Sequence, residues 1–274
     1  MIKLIAIDLD GTLVKEDQTV SQENISALRQ AHQQGIQIVI CTGRPIKSSQ
    51  AVIDQLNLKG AEDYVITFNG GQILRAANNE VIYESGLDYQ DFNLWYQTTQ
   101  ELNLPLNVID AQWVYEPQAY PQAGPSIYVS DITTAPSKVV DFQEFDDSNH
   151  FLKFVSGTDA NYLQAQFPHI DPQLLEDYNV VFSRDCLLEI MKKGTSKADA
   201  LKVLGQRLGI QPEEMMTIGD QGNDMTMIEM AGIGVAMGNA TQAVKDMADY
   251  VTDTNENDGV AKAIRHYILQ GKED

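Results

Sequence analysis

The chain has 274 residues, is 43% hydrophobic, and carries 39 acidic against 19 basic residues for a formal charge of −20. That length supports a large α/β core together with a second domain, and that charge excludes binding by neutralisation of nucleic acid phosphates. No uncharged apolar stretch nears the roughly 18 to 20 residues of a membrane span, and no signal-peptide pattern opens the chain, so the expectation is a cytoplasmic protein, monomeric or weakly self-associating, that contacts neither nucleic acid nor membrane.

The apolar run from Met1 to Ile7 ends abruptly in Asp8-Leu9-Asp10-Gly11-Thr12. Such a run reads as a strand buried on both faces, which places Asp8 and Asp10 where the strand gives way to a loop. Thr19 to Gln34 comes next as a helix with Ile25 and Leu28 on one face, Ser21 at its N-cap and Gly35 as its stop. Ile36 to Ile40 is the next strand, Pro45 opens a helix at its first position, and Tyr64 to Phe68 is a third strand. Near the far end, Met215 to Ile218 and Ile233 to Ala236 repeat the strand pattern, with helices predicted over 196–208, 222–231, 241–248 and 259–269. Apolar runs alternating with helical patterns are the signature of βαβ units and a parallel sheet.

The middle differs. Residues 85–190 hold 16 of the 21 aromatic residues, Trp95 and Trp113 among them, and 3 basic against 16 acidic residues. This stretch reads as mixed α and β, with helices near 88–102 and 159–167 and strands near 107–116, 126–131, 151–155, 180–183 and 186–191. It looks inserted, which divides the chain into a core of residues 1–84 and 191–274 and a second domain of residues 85–190.

Four short segments carry the chemistry: Asp8 to Thr12, Cys41-Thr42-Gly43-Arg44-Pro45, Lys193-Gly194-Thr195-Ser196-Lys197 at a helix start, and Gly219-Asp220-Gln221-Gly222-Asn223-Asp224. In an open parallel sheet ligands bind at the carboxyl ends of the strands, so three of these segments meet on one edge and Lys197 reaches in beside them. Mg²⁺ is usually held by one or two carboxylates plus a substrate phosphate. Asp8 and Asp220 suit that role as side-chain ligands, with the Asp10 carbonyl as a third and Asp224 behind them. A carboxylate attacking a phosphate faces like-charge repulsion of about 4 kcal/mol per unit-charge pair at ~4 Å and an effective dielectric near 20, which a cation removes. Lys197, the Thr42 hydroxyl and N–H groups at helix starts can then hold the phosphoryl oxygens.

These segments resemble the four motifs of the haloacid dehalogenase-like phosphatases, specifically the Cof-type branch. The resemblance extends to Phe68-Asn69-Gly70-Gly71 and Asn257-Asp258-Gly259-Val260. It implies an α/β fold with a doubly wound, Rossmann-like core and an inserted α/β cap, which matches the aromatic, acidic insert. It further implies that Asp8 is a nucleophile forming an aspartyl phosphate, and that Asp10 protonates the leaving oxygen and then activates water. Thr42, Gly43, Arg44, Asn69, Lys197 and Asn223 become the candidate phosphate- and substrate-binding residues, and Asp8, Asp10, Asp220 and Asp224 the candidate Mg²⁺ site. Arg44 is expected to touch substrate or cap, with a structural carboxylate as the alternative partner. The implied substrates are small phosphorylated metabolites such as sugar phosphates, and the acidity of the insert suggests neutral or cationic leaving groups.

Two rival readings share these residues: a phosphomutase or phosphotransferase that returns the phosphoryl group to an acceptor, and a regulator that binds phosphate without catalysis. Other signals are set aside. Gly232-Ile233-Gly234 with Gly238 lacks the spacing of a dinucleotide fingerprint. Cys41 reads as a strand-end thiol, because Lys47 stands six positions on, where a cysteine phosphatase needs arginine. His32, His150, His169 and His266 are too scattered for a zinc site. Cys41 and Cys186 are expected to remain reduced.

Overall fold

The computed structural model describes residues 1–58, 60, 63–133 and 135–269. Two compact units emerge, one of Met1–Tyr83 with the chain from Ser196 onward, the other of Glu84–Thr195.

The first unit begins with β1 (Leu4–Ile7), every residue of which is buried. Helix α1 (Gln22–Gln33) comes next, its Ser21 cap accepting from the Asn24 N–H, and then β2 (Gln37–Cys41) and α2 (Ile46–Leu56). Pro45 lies one position earlier than expected and serves as the N-cap of α2. Strand β3 (Tyr64–Thr67) stops a residue short of Phe68, because the chain turns there into a left-handed conformation at Phe68 and Asn69. Two strands absent from the sequence expectation extend the sheet, β4 (Gln72–Arg75), antiparallel to β3, and β5 (Val81–Glu84). They escape a search for βαβ units because they form by folding back along the sheet edge without an intervening helix.

The inserted unit holds α3 (Tyr89–Glu101), β6 (Asn107–Ile109), β7 (Val114–Pro117), β8 (Ser137–Val140), β9 (Lys153–Gly157), α4 (Ala160–Gln166), α5 (Pro172–Asp177), β10 (Tyr178–Arg184) and β11 (Leu187–Lys192). Its strands form one sheet in the order β10-β11-β9-β6-β7-β8. The strand expected over 107–116 is a hairpin, broken where the Asp110 carboxylate accepts from the N–H groups of Gln112 and Trp113, both at 2.7 Å. The strand expected over 126–131 is a single wide helical turn, Tyr128–Ile132, because the Ser126 hydroxyl takes the Tyr128 N–H and Asp131 N–H bonds back to Ile127. Phe92 centres the core, with Phe142, Phe145 and Phe151 rings 5.0 to 5.9 Å away. Within this unit Lys153 and Glu189 form a buried ion pair at 2.5 Å.

The chain then returns through α6 (Lys197–Leu208), β12 (Met215–Gly219), α7 (Met225–Met230), β13 (Ile233–Ala236), α8 (Gln242–Met247), β14 (Tyr250–Val251) and α9 (Gly259–Ile264). The first unit's sheet runs β14-β13-β12-β1-β2-β3-β4-β5, parallel from β14 through β3. Register sets the height of the strand ends: Ile7 lies opposite both Ile40 and Ile218, so the residues after β1, β2 and β12 emerge at one level of one edge. No described helix is long and apolar enough to cross a membrane.

Candidate active site

Asp8 leaves the end of β1 as a buried carboxylate, 5% exposed. Its neighbours come from elsewhere in the sequence. Asp220 and Asp224, after β12, bring carboxylate oxygens to within 4.8 Å of it and of each other. Lys197, in the first turn of α6 and fully buried, donates to Asp8 Oδ1 at 2.5 Å and Asp224 Oδ1 at 2.6 Å. The other oxygen of Asp224 accepts the N–H groups of Asp220 and Gln221, at 2.9 and 3.0 Å. Asp224, expected behind the ligands, thus supplies one of the three clustered carboxylates.

One ammonium against three carboxylates leaves the cluster overcharged. Burial lifts the Asp8 carboxyl well above the ordinary range against the pull of Lys197, and Asp224, Asp220 and Asp10 lift it further. Burial, with Asp224 adding to it, pushes Asp220 up to about 7 despite hydrogen bonds from Thr12 and Gln221. Burial works against the charge of Lys197, but Asp224 and Asp8 outweigh it and hold the ammonium protonated. Hard oxygen donors carrying net negative charge in a buried site are what a divalent cation such as Mg²⁺ satisfies.

The glycine after Asp10 is required by this geometry. Gly11 has φ +75°, and a Cβ there would stand 2.4 Å from Asp220 Oδ2. Thr12, whose hydroxyl donates to Asp220 Oδ1 at 3.1 Å, is a site residue whose motif was plain in the sequence but whose role was not. Two asparagines stand outside every motif. Asn239 donates to the Gly11 carbonyl at 2.7 Å, and Asn255 donates to the Val14 carbonyl at 3.0 Å, so both fasten the loop that carries Asp10. The signal for Asn239 was its place just beyond β13, a fourth strand ending on the same sheet edge.

Thr42 and Gly43 follow β2, and Thr42 is buried with its hydroxyl accepting the Arg44 N–H at 3.1 Å. Asn69 accepts from the Asn223 side chain at 3.0 Å, joining the loops after β3 and β12. A Cβ on Gly43 would come within 3.0 Å of Asn69 Oδ1, so these two predicted residues are packed against each other. Asp10 and Arg44 pair with each other. The Asp10 carboxylate lies outside the three-carboxylate cluster, in keeping with an expected role for its carbonyl, and Arg44 clasps it: Nε donates to Oδ2 at 2.8 Å and Nη2 to Oδ1 at 2.5 Å. Cys41 is buried and burial drives its thiol strongly upward, which suits a packed side chain and not a nucleophile.

Comparison with known proteins meets this geometry from another side. The chain is 38% identical to YxeH of Bacillus subtilis, a protein with a provisional phosphatase name, over 98% of this chain and 99% of that one. It is 34% identical to YcsE of the same organism, named a 5-amino-6-(5-phospho-D-ribitylamino)uracil phosphatase, over 98% and 96% of the two chains. The solved structure of BT4131, described as a sugar phosphatase of subclass IIB, superposes with a TM-score of 0.77 at 26% identity, covering 97% of this chain and 98% of that one. A family profile described as haloacid dehalogenase-like hydrolase matches residues 5–264. With its parallel-sheet core, its edge-clustered aspartates and this match across nearly its whole length, the chain belongs to the haloacid dehalogenase-like hydrolase family and is a phosphatase of that family.

Proposed function

We propose that this phosphatase is Mg²⁺-dependent, acts on small phosphorylated metabolites with sugar phosphates foremost, and works through an aspartyl phosphate on Asp8. The observation that carries the reading is the cluster itself, three carboxylates and Lys197 gathered at one sheet edge from segments about 200 residues apart. Asp8, Asp220 and Asp224 would hold the ion, and its charge would offset the repulsion between a carboxylate nucleophile and a phosphate.

Asp8 would be the nucleophile, with Lys197 donating to its Oδ1 and Oδ2 the oxygen that attacks. As the new Asp8 O–P bond forms, the bond from phosphorus to the leaving oxygen breaks, and Asp10 gives that oxygen a proton. Water then attacks the phosphorus of the aspartyl phosphate and passes a proton to Asp10, and inorganic phosphate departs as Asp8 regains its carboxylate. Lys197, fixed by two carboxylates, and the buried Thr42 hydroxyl would stabilise the phosphoryl oxygens. The inserted unit would act as the cap, admitting substrate when open and excluding bulk water when closed. The sugar-phosphate preference draws on BT4131 and YcsE, whose named substrate is a phosphorylated ribityl compound. The unpaired thiols of Cys41 and Cys186 suit a cytoplasmic setting.

The test is release of inorganic phosphate from a panel of sugar phosphates, nucleotides and cofactor phosphates, with Mg²⁺ and with EDTA, alongside Asp8→Asn. Release that requires Mg²⁺ and vanishes in Asp8→Asn supports the reading. Release that survives EDTA or the substitution defeats it, and phosphoryl transfer seen only with an added acceptor favours the phosphotransferase instead.

A further inference from the structure

The pairing of Arg44 with Asp10 reaches beyond that reading while resting on it. A guanidinium that meets both oxygens of one carboxylate fixes the plane of the carboxylate as well as its position. Here the fork is closed on both sides. Nε and Nη2 of Arg44 donate to Oδ2 and Oδ1 of Asp10, and Nη2 also donates to the side-chain carbonyl of Gln18. The Arg44 backbone is itself held, its N–H donating to Thr42 Oγ1 at 3.1 Å. Gln18 adopts a left-handed backbone, φ 65°, uncommon for a residue with a side chain. Its loop is closed by bonds from Gln18 N–H to the Lys15 carbonyl and from Lys15 N–H to the Thr19 carbonyl.

The Asp10 and Arg44 side chains are 36% and 22% exposed, so the pair borders solvent, and whatever its bidentate geometry contributes to folding, it also fixes the direction of the carboxylate. Proton transfer to a leaving oxygen depends on where the carboxylate points, within about 10–20°. We infer that Arg44 is a positioning residue for Asp10 and not a substrate contact, and that Gln18 in turn positions Arg44, a relay from the exposed loop at residue 18 to the proton-transfer group. Arg44 then acts on how fast the ester is cleaved, not on how tightly it is held.

The test compares two esters in Arg44→Lys, Arg44→Gln and Gln18→Ala. Glycerol 3-phosphate expels a poor leaving group that needs a proton, whereas p-nitrophenyl phosphate expels a phenolate that leaves without one. Both Arg44 variants should lower kcat for glycerol 3-phosphate by about 100-fold with KM changed less than about 3-fold, and the loss of kcat/KM, which reports only the steps up to departure of the leaving group, should be about ten times smaller for p-nitrophenyl phosphate. Gln18→Ala should shift the same ratio in the same direction by a smaller factor, and no shift overturns its place in the relay. A rise in KM with kcat for glycerol 3-phosphate preserved, or equal losses of kcat/KM on both esters, overturns the role of Arg44. Crystals of wild type and Arg44→Gln give a readout independent of turnover: the Asp10 carboxylate should lose its orientation, and if both oxygens keep their wild-type places the inference fails. Should wild type release phosphate from neither ester nor from any member of the sugar phosphate, nucleotide and cofactor phosphate panel, the proposed function fails instead, and the crystal comparison still decides for or against Arg44.

Discussion

Replacing Asp220 by asparagine should make the metal-free protein more stable at alkaline pH while abolishing its response to Mg²⁺. The Asp220 carboxyl, buried and facing Asp224, is pushed from an ordinary 3.8 to about 7. Between those values the folded state keeps a proton that the unfolded chain has released. Stability without metal therefore falls as pH rises from about 4, and the loss is complete above about 7. Moving a carboxyl across that interval corresponds to about 4 kcal/mol. For a chain of this size that is a fall on the order of 10 °C in melting temperature. Asparagine carries no such penalty, but it removes one of the three clustered carboxylates. The assay is thermal unfolding of wild type and Asp220→Asn at pH 5.5, 7 and 8.5, each in EDTA and in excess Mg²⁺. The difference between the two proteins isolates Asp220 from other titrating groups. In EDTA the variant should gain on wild type as pH rises, and Mg²⁺ should raise the wild-type melting temperature most at pH 8.5 and leave the variant unmoved. If the two proteins track each other across pH in EDTA, or if the variant keeps the Mg²⁺-induced rise, the electrostatic account of the cluster is refuted.

Gly11→Ala should cost about 1–2 kcal/mol in left-handed backbone strain, and should also weaken Mg²⁺ binding, because its Cβ would meet Asp220 Oδ2 at 2.4 Å; a Mg²⁺ titration of activity reads the shift, and an unchanged half-saturation contradicts it. Lys153→Met should destabilise by about 3–5 kcal/mol through an uncompensated Glu189, whereas Lys153→Met with Glu189→Leu should recover most of that loss, as judged by chemical denaturation. The 16 acidic and 3 basic residues of the stretch 85–190 predict higher kcat/KM for neutral sugar monophosphates than for bisphosphates or nucleotides at low salt, a gap that narrows as salt is added; the reverse ranking would remove the acidity of the insert from the account of specificity.

The parallel core and its edge cluster were legible because each depends on local signals that register brings together. Apolar runs ending in Asp8, Thr42 and Asp220 mark strand ends, and once the sheet is parallel those ends share an edge. What escaped lies where a side chain redirects the backbone or its partner. Asp110 breaks a run of strand-forming residues into a hairpin, and Ser126 diverts the chain into a turn, although Ile127 and Val129 read as strand. The partner of Arg44 stayed open between substrate, cap and a carboxylate because a sequence shows which charges exist and not how they pair, and its bond to Gln18 meets a residue whose left-handed backbone no local pattern announced. Asn239 and Asn255 hold the Asp10 loop from more than 220 residues away; the place of Asn239 just beyond β13 hinted at this, whereas nothing in local spacing pointed to Asn255.

Strand β1 pairs on one side with β2, near in sequence, and on the other with β12, Leu4 lying opposite Met215. During synthesis, therefore, the strand that ends in Asp8 waits with one backbone edge bare until the ribosome has delivered the residues beyond 219, while the intervening unit can already close its own contacts. Chains interrupted within that interval would expose a short but wholly apolar strand edge, open to pairing with another chain.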